Sequence, residues 1–161
     1  MTSLRLSEVF DQHSETMHSK SFPGRLENLE KISDFIVQAA KEAGLDDSAT
    51  YAVQLAVDEA ATNIIEHAYR GTNQGIIICS YDVLKDGIKI VLKDQGKPFD
   101  PQAVPEPNIK VPLEDLKPRG LGLYMMRKVM DDIRFEFSPK HGNTLTMFKR
   151  KKKSLNLTKS G

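Results

Sequence analysis

The hydrophobic pattern of this chain changes its period near residue 71, and that change limits the folds available to it. Before this point, apolar side chains repeat at helical spacing over 26–43, where Gly44 ends the helix, and again after Asp46. After it, short β-rich runs separated by turn residues predominate. Amphipathic helices and one-sided strands each have an apolar face that needs a partner. We therefore expect helices packed against a sheet.

The runs after residue 71, together with one run near the N-terminus, predict the sheet. The expected elements are strands over 16–22, 76–84, 88–93, 133–137 and 144–148, and a short helix over 121–131. Asp86-Gly87 is a hairpin turn signal between two of these strands. The predicted fold class is α+β, a two-layer α/β sandwich in which helices cover one face of a mixed, mostly antiparallel sheet.

Composition limits the classes of function. The chain has 161 residues and a net charge of +1, so one domain with a single core is expected and no overall field favours nucleic acid. The one cysteine, Cys79, excludes an intrachain disulfide. No apolar stretch approaches about 18 residues and no signal peptide is visible, so we expect no membrane segment and a cytoplasmic location.

The chain divides into three parts. Residues 1–15 are predicted to be a polar N-terminal extension, residues 16–150 the folded domain, and residues 151–161 a basic polar tail. Inside the domain, residues 97–118 are rich in proline and show little periodicity. A loop of this length in a compact domain is usually functional or disordered.

One helix carries two kinds of side chain. Over 57–69, apolar residues form one stripe, and Glu59, Asn63, Glu66 and Arg70 fall on a second, polar stripe. Glu59 and Asn63 are four residues apart, so their side chains point to the same place. A carboxylate and a carboxamide that converge there can supply a general base and an oxygen ligand for Mg²⁺, as phosphoryl transfer from ATP requires. The alternative is a polar helix face that is simply solvated.

A second segment has residues suited to a flat heterocycle. Asp94 follows a strand, where its carboxylate could accept a hydrogen bond from an exocyclic amine such as that of adenine. Gly96 would let the backbone approach a flat ring closely, and Phe99 could form an apolar wall. An ordinary loop is the competing interpretation.

Glycines and a threonine suggest a place for phosphates. Arg119, Gly120, Leu121 and Gly122 lie just before a predicted helix, whose N-terminal N–H groups and dipole favour anions. Arg119 could add a charged fork for a terminal phosphate. Thr144 opens the last strand and could meet a phosphate or orient a water, although such a residue more often completes a turn.

Four motifs resemble, in order, the nucleotide-binding boxes of the GHKL ATPase superfamily: Glu59-x-x-x-Asn63, Asp94-x-Gly96, Gly120-x-Gly122 and Gly142-x-Thr144. Within that superfamily the sequence looks most like the bacterial anti-sigma-factor serine kinases of the RsbW and SpoIIAB type. The narrower likeness lies in Glu66-His67-Ala68-Tyr69, Pro98-Phe99-Asp100-Pro101 and Gly120-Leu121-Gly122-Leu123-Tyr124. The resemblance covers roughly residues 16–150.

The resemblance implies a Bergerat-type sandwich that holds ATP between the helices and the sheet, under a lid made from residues 97–118. Glu59 would be the general base, and Asn63 would coordinate Mg²⁺. The other nucleotide-binding residues would be those of the adenine box, the glycine box and the last strand. They are Asp94, Gly96, Phe99, Arg119, Gly120, Leu121, Gly122 and Thr144.

The implied function is that of an Mg-ATP-dependent serine/threonine protein kinase acting as an anti-sigma factor. It would phosphorylate a STAS-domain anti-anti-sigma protein and sequester a sigma factor, and a homodimer is a possible assembly. The alternative is a non-catalytic ATP-binding module that sequesters a protein partner. A detached histidine-kinase domain is disfavoured, because that arrangement needs a phosphoacceptor histidine on a helical hairpin. His13 and His18 lie in a short polar segment without such a hairpin pattern. Nucleic-acid binding through the tail ranks lowest, since the tail lacks interleaved aromatics.

Overall fold

Five strands form one antiparallel sheet in the computed structural model, which describes residues 17–69, 75–107, 110 and 121–152. The strands are β1 (His18–Pro23), β2 (Ile76–Leu84), β3 (Gly87–Asp94), β4 (Asp132–Ser138) and β5 (Gly142–Arg150). Their order across the sheet is β1-β2-β3-β5-β4, and neighbouring strands are antiparallel in each of the four pairs.

Three α-helices accompany the sheet in the described residues: α1 (Leu29–Glu42), α2 (Asp47–Asn63) and α3 (Leu121–Val129). Gly44 follows α1 with φ of 83°, a left-handed conformation that glycine adopts without strain. The carboxylate of Asp46 accepts a hydrogen bond from Ala49 N at 2.8 Å and so caps α2. A π-helical turn, Ile64–Ala68, continues from the end of α2.

The helices cover one face of the sheet, and strand alternation decides which side chains they meet. Ile88, Ile90 and Leu92 alternate along β3 and are fully buried in the core shared with α1 and α2. Asp94 is the next residue in that alternation, so it lies on the helix side at the strand end. Leu145 and Met147 face the same core from β5.

The predicted fold class is confirmed, and the sheet is simpler than expected. The sequence predicted a mixed, mostly antiparallel sheet, and every strand pair in the described residues is antiparallel. The connection through α3 returns β4 parallel to β3, but β5 lies between them, so no parallel pair forms. The strand predicted over 76–84 has those bounds in the structure.

Other predictions are met only in part, because segments fall outside the described residues. The helix expected to continue to Gly71 is α-helical to Asn63 and π-helical to Ala68, and residues 70–74 are not described. The proline-rich loop is described to residue 107 and at Lys110, with a 3₁₀ turn at Pro101–Ala103. The extension over 1–15 and the tail beyond residue 152 also lie outside the described residues. None of the helices described is long and apolar enough to cross a membrane.

Candidate functional site

Helix α2 presents Glu59 and Asn63 at the border of the core. Val57, Ala60 and Ala61 are buried, which fixes the rotation of the helix about its axis. Glu59 and Asn63 are half-buried on the neighbouring face. Among the described residues, neither of these two side chains has a hydrogen-bond partner. Two residues of the predicted polar stripe, Glu59 and Asn63, therefore share this face with their acceptors available to a ligand, whereas Arg70 lies outside the described residues.

The π-helical turn connects α2 to the loop after β3. Tyr69 N donates to Ile64 O at 3.0 Å, the five-residue spacing of a π turn, and such turns often occur at functional sites. The carbonyl of Ala68 accepts a hydrogen bond from Lys97 N at 3.1 Å. A Cβ atom at Gly96 would lie 2.5 Å from Cβ and from the carbonyl oxygen of Ala68, so only glycine allows this approach.

The carboxylate of Asp94 is the buried polar group at the end of β3. The residue is 4% exposed. Its Oδ1 accepts a hydrogen bond from Gly96 N at 2.9 Å and another from Asn143 Nδ2 at 2.9 Å. Burial raises the pKa of Asp94, and the hydrogen bonds from Asn143 and Gly96 lower it. Its second oxygen, Oδ2, makes no hydrogen bond to any described residue.

Asn143, at the start of β5, connects three parts of this loop. Besides Asp94, its Nδ2 donates to Lys97 O at 2.8 Å, with a longer contact of 3.4 Å to Gly96 O. Its Oδ1 accepts a hydrogen bond from Phe99 N at 3.1 Å. The side chain of one residue therefore holds both the carboxylate of Asp94 and the backbone that carries Phe99.

A cavity of about 240 Å³ opens between α2, the loop and the strand ends. Its lining is mostly apolar, and the rings of Phe99 and Phe135 pack at a centroid distance of 5.1 Å. The polar residues that line it are Asn63, His67, Asp94, Lys97, Glu136, Asn143 and Thr144. Pockets for drug-sized ligands have volumes of about 300–1,000 Å³, so this cavity suits a heterocyclic base better than a whole nucleotide.

Helix α3 brings the glycine motif to the other end of the site. A side chain at Gly122 would collide with Oε2 of Glu59, so the backbone of α3 lies directly against that carboxylate. Leu121 is the first residue of α3 and is half-buried. Two sequence motifs that are about sixty residues apart therefore meet at the N-terminus of a helix, where anions are favoured.

The structure places the predicted site residues in three groups. Asn63, Asp94, Phe99 and Thr144 line the cavity. Glu59, Leu121 and Gly122 lie at the junction of α2 and α3, and Gly96 supports the loop against Ala68. Arg119 and Gly120 lie outside the described residues.

Sequence reasoning singled out Thr144 on β5 and passed over Asn143. In the sheet register, Asn143 is paired with Asp94 and Thr144 with Lys93. Cross-strand partners share a face of the sheet, so the hydrogen bonds to Asp94 come from Asn143. The alternation of Leu145 and Met147 was a usable signal, because counting back by two residues from Leu145 reaches Asn143.

Comparison with known proteins identifies the family of this domain. Residues 22–149, more than half of the chain, match the histidine kinase-like ATPase domain family. The chain belongs to this family. The resemblance to the GHKL superfamily and to RsbW-type kinases, expected from the four motifs, is confirmed.

Several curated relatives within this ATPase group are serine-protein kinases RsbW. The protein from Staphylococcus aureus is 37% identical over 105 residues, which is 62% of this chain and 65% of the relative. The one from Bacillus licheniformis is 32% identical over 101 residues, 60% and 62% of the two chains. The one from Listeria innocua is 28% identical over 129 residues, 76% and 82%. The chain thus spans slightly less than two thirds of its staphylococcal relatives.

Solved structures show the same fold at lower sequence identity. The RsbU and RsbW domains of a Mycobacterium tuberculosis protein superpose with a TM-score of 0.60 at 16% identity, covering 84% of this chain and 32% of that one. The catalytic domain of the histidine kinase ThkA gives a TM-score of 0.50 at 16% identity, covering 83% and 98%. At these identities the likeness establishes the fold.

Proposed function

We propose that this ATPase-family domain is an Mg-ATP-dependent protein serine/threonine kinase of the anti-sigma-factor type. The proposal depends mainly on one observation. A base-sized cavity with the carboxylate of Asp94 on its wall lies between α2, which carries Glu59 and Asn63, and the strand ends. The curated relatives that are named serine-protein kinase RsbW support the class of reaction.

Adenine recognition is assigned to the loop after β3. With Oδ1 held by two donors, Oδ2 of Asp94 is the acceptor left for the exocyclic amino group of adenine. Phe99 supplies an apolar wall for the ring, packed against Phe135. The cavity buries these groups away from bulk water, where one hydrogen bond to a charged acceptor discriminates more strongly.

The donor set next to the phosphate side fits Mg²⁺. The described residues contain no cluster of three or more His, Cys, Asp or Glu side chains that could hold a metal by themselves. Mg²⁺ in nucleotide sites usually takes only one or two protein ligands and fills its octahedron with phosphates and water. The Asn63 amide oxygen would supply one protein ligand, and the bound ion would neutralise charge on the phosphates.

Glu59 is assigned as the general base. Its carboxylate lies against Gly122 at the start of α3, the helix end that would receive phosphate. There it can accept the proton of a serine or threonine hydroxyl as that oxygen attacks phosphorus. Arg119 and Gly120 complete the proposed phosphate site by their position in the sequence.

The proposed partners are those of the anti-sigma-factor kinases. The protein would phosphorylate a STAS-domain anti-anti-sigma protein and would otherwise sequester a sigma factor, acting in the cytoplasm and as a homodimer. The RsbW relatives support this assignment. The proposal includes no direct contact with nucleic acid or with a membrane.

The decisive experiment is radiolabel transfer from γ-labelled ATP to a panel of STAS-domain proteins from the same genome. Glu59→Gln should lower the transfer rate by about 10²–10⁴-fold, the usual contribution of a general base, and should leave ATP affinity within a few-fold of wild type. Glu30→Gln, on an exposed position of α1, is the matched control and should keep full activity.

Each alternative outcome has a distinct meaning. Equal transfer by Glu59→Gln would remove Glu59 as the base. Wild-type protein that binds ATP yet phosphorylates no member of the panel would support the non-catalytic binding module instead. A folded wild-type sample with no affinity for ATP in the presence of Mg²⁺ would overturn the whole proposal.

A further inference from the structure

We propose that Asn143 is a positioning residue that directs one oxygen of Asp94 toward the nucleotide and thereby sets the preference for adenine over guanine. This inference rests on the proposed function, because it concerns the same cavity. It assigns a role to a residue that the sequence motifs did not single out.

The hydrogen bonds of Asn143 fix the orientation of its amide. Nδ2 has two hydrogens, and its two shortest contacts are Asp94 Oδ1 at 2.9 Å and Lys97 O at 2.8 Å. Oδ1 accepts from Phe99 N at 3.1 Å. A flipped amide would place an acceptor against the carboxylate and the carbonyl and a donor against an N–H group. The network therefore permits a single orientation.

This orientation determines which oxygen of Asp94 is available. Oδ1 already accepts from Gly96 N and from Asn143, so Oδ2 is left for the ligand. An ionised Oδ2 only accepts hydrogen bonds. Adenine offers an exocyclic amino group as a donor, whereas guanine offers a carbonyl oxygen at the equivalent position. Guanine would bring two acceptors together, which is the physical basis of the preference.

Protonation of Asp94 would reverse this preference. A proton on Oδ2 turns the acceptor into a donor that suits the guanine carbonyl. Burial raises the pKa of Asp94, and the hydrogen bond from Asn143 acts against that shift. Loss of the Asn143 donor should therefore increase the protonated fraction, and the effect should be larger at lower pH.

Other titratable groups line the same cavity or lie beside its loop, and none of the variants replaces them. They are His67 on the π turn, Tyr69 beside the loop, Lys97 in the loop and Glu136 on β4. Their effect on pH dependence is shared by wild type and variants. A change seen only when the Asn143 donor is removed belongs to the Asp94–Asn143 pair.

The test compares Asn143→Thr with Asn143→Val in the full chain. The two side chains have the same shape and suit a strand, but only threonine keeps a hydroxyl donor for Asp94. Affinities for ATP, GTP, adenosine and guanosine are measured by calorimetry at neutral pH and at lower pH, because a carboxyl whose pKa is raised takes up its proton earlier as the pH falls. Thr146→Val makes the same Thr/Val exchange on the opposite face of β5, where Thr146 is paired with Val91.

The valine variant should lose about tenfold in the ratio of adenine to guanine affinity relative to the threonine variant, with the difference growing as pH falls. Thr146→Val should leave the ratio as in wild type. Equal ratios for Asn143→Thr and Asn143→Val at every pH would overturn the inference and leave Asn143 a purely structural residue. If both variants fail to fold, Asn143→Ser and Asn143→Ala repeat the comparison with smaller side chains, because only serine keeps a hydroxyl donor. Equal ratios for that pair would overturn the inference.

Failure of the proposed function would look different. Wild-type protein that binds neither adenosine nor ATP would refute the nucleotide site itself. Wild-type protein that prefers ATP while the two Asn143 variants behave alike would keep the site and refute only the role of Asn143.

Discussion

The two ends of the site are built in different ways. One end, called the base end because it is proposed to hold the adenine base, contains Asp94, Asn143 and the loop from Gly96 to Phe99. Hydrogen bonds of 2.8–3.4 Å join these residues. The other end, called the transfer end, is proposed to carry out phosphoryl transfer. Its residues Glu59 and Asn63 are half-buried and make no side-chain hydrogen bond within the described residues. Most polar groups at the base end hydrogen-bond to one another and fix the local geometry, whereas those at the transfer end are available to a ligand.

This difference predicts which substitutions change the affinity for ATP and which change the rate of phosphoryl transfer. A preorganised acceptor contributes to ground-state binding, because its cost of ordering has been met during folding. A general base such as the Glu59 carboxylate acts only when it accepts a proton in the transition state. It therefore raises the rate and leaves the affinity for ATP unchanged. Variants at the base end should therefore change the dissociation constant of ATP, and variants at the transfer end should change kcat.

The largest expected effect of these variants is at Asp94. Asp94→Asn should weaken ATP binding by about 10–100-fold. In one orientation the new amide places its NH₂ group against the donors of Gly96 and Asn143, and in the other it places that group against the amino group of adenine, so two donors meet in either case. Asp100→Asn, an exposed position in the same loop, is the control and should bind ATP normally. Calorimetric titration with ATP measures both. A large fall in kcat at saturating ATP would break the separation between the two ends.

A smaller effect is expected at Gly96. Gly96→Ala would force the loop away from the carbonyl of Ala68, a backbone atom that cannot rotate aside. Such overpacking costs about 1–3 kcal/mol of the free energy of unfolding, and the displaced loop should also weaken ATP binding. Urea denaturation and ATP titration test this. Unchanged stability would show that the contact with Ala68 relaxes without cost.

The matched substitution at the transfer end should behave differently. Gly122→Ala meets only the end of the flexible Glu59 side chain, and alanine favours a helix, so stability should change by less than about 1 kcal/mol. Displacement of the carboxylate should lower kcat about tenfold, since a small misplacement of a base is costly. Steady-state transfer assays compare this variant with Gly96→Ala. A loss of ATP affinity without a loss of kcat would reverse the assignment of the two ends.

The smallest effect concerns pH and stability. Because burial raises the pKa of Asp94, the native state holds this proton at a pH where the unfolded chain has released it. The contribution of Asp94 to the free energy of unfolding is therefore fully present below its unfolded pKa and is lost as pH rises through the native pKa. Wild type should lose stability relative to Asp94→Asn as the pH rises from about 4, the ordinary pKa of an aspartate, toward neutrality. Urea denaturation across that range measures the difference, and parallel curves would contradict it.

Much of the fold could be predicted from local pattern. The strand over 76–84 and the hairpin after it follow from the period of apolar residues and from turn chemistry, which act over a few residues. The turn lies one residue earlier than the predicted Asp86-Gly87, at Lys85 and Asp86, because Gly87 pairs with Leu84 as the first residue of β3. The proximity of Glu59 and Asn63 on α2 was predictable for the same reason, because a spacing of four places the two side chains side by side on any helix. The π turn at Ile64–Ala68 was not foreseen, since it depends on how the end of the helix meets the loop.

The sequence by itself determined the helices and strands and the side chains suited to a nucleotide. The order of its motifs along the chain carried the likeness to the family. The tertiary structure decided which of those side chains meet. Asn143 contacts Asp94 from 49 residues away only because β3 and β5 pair in one register, and Gly122 reaches Glu59 only because α3 packs on α2. Register is set by the burial of a whole strand face, which is a property of the assembled sheet and cannot be read from either strand alone.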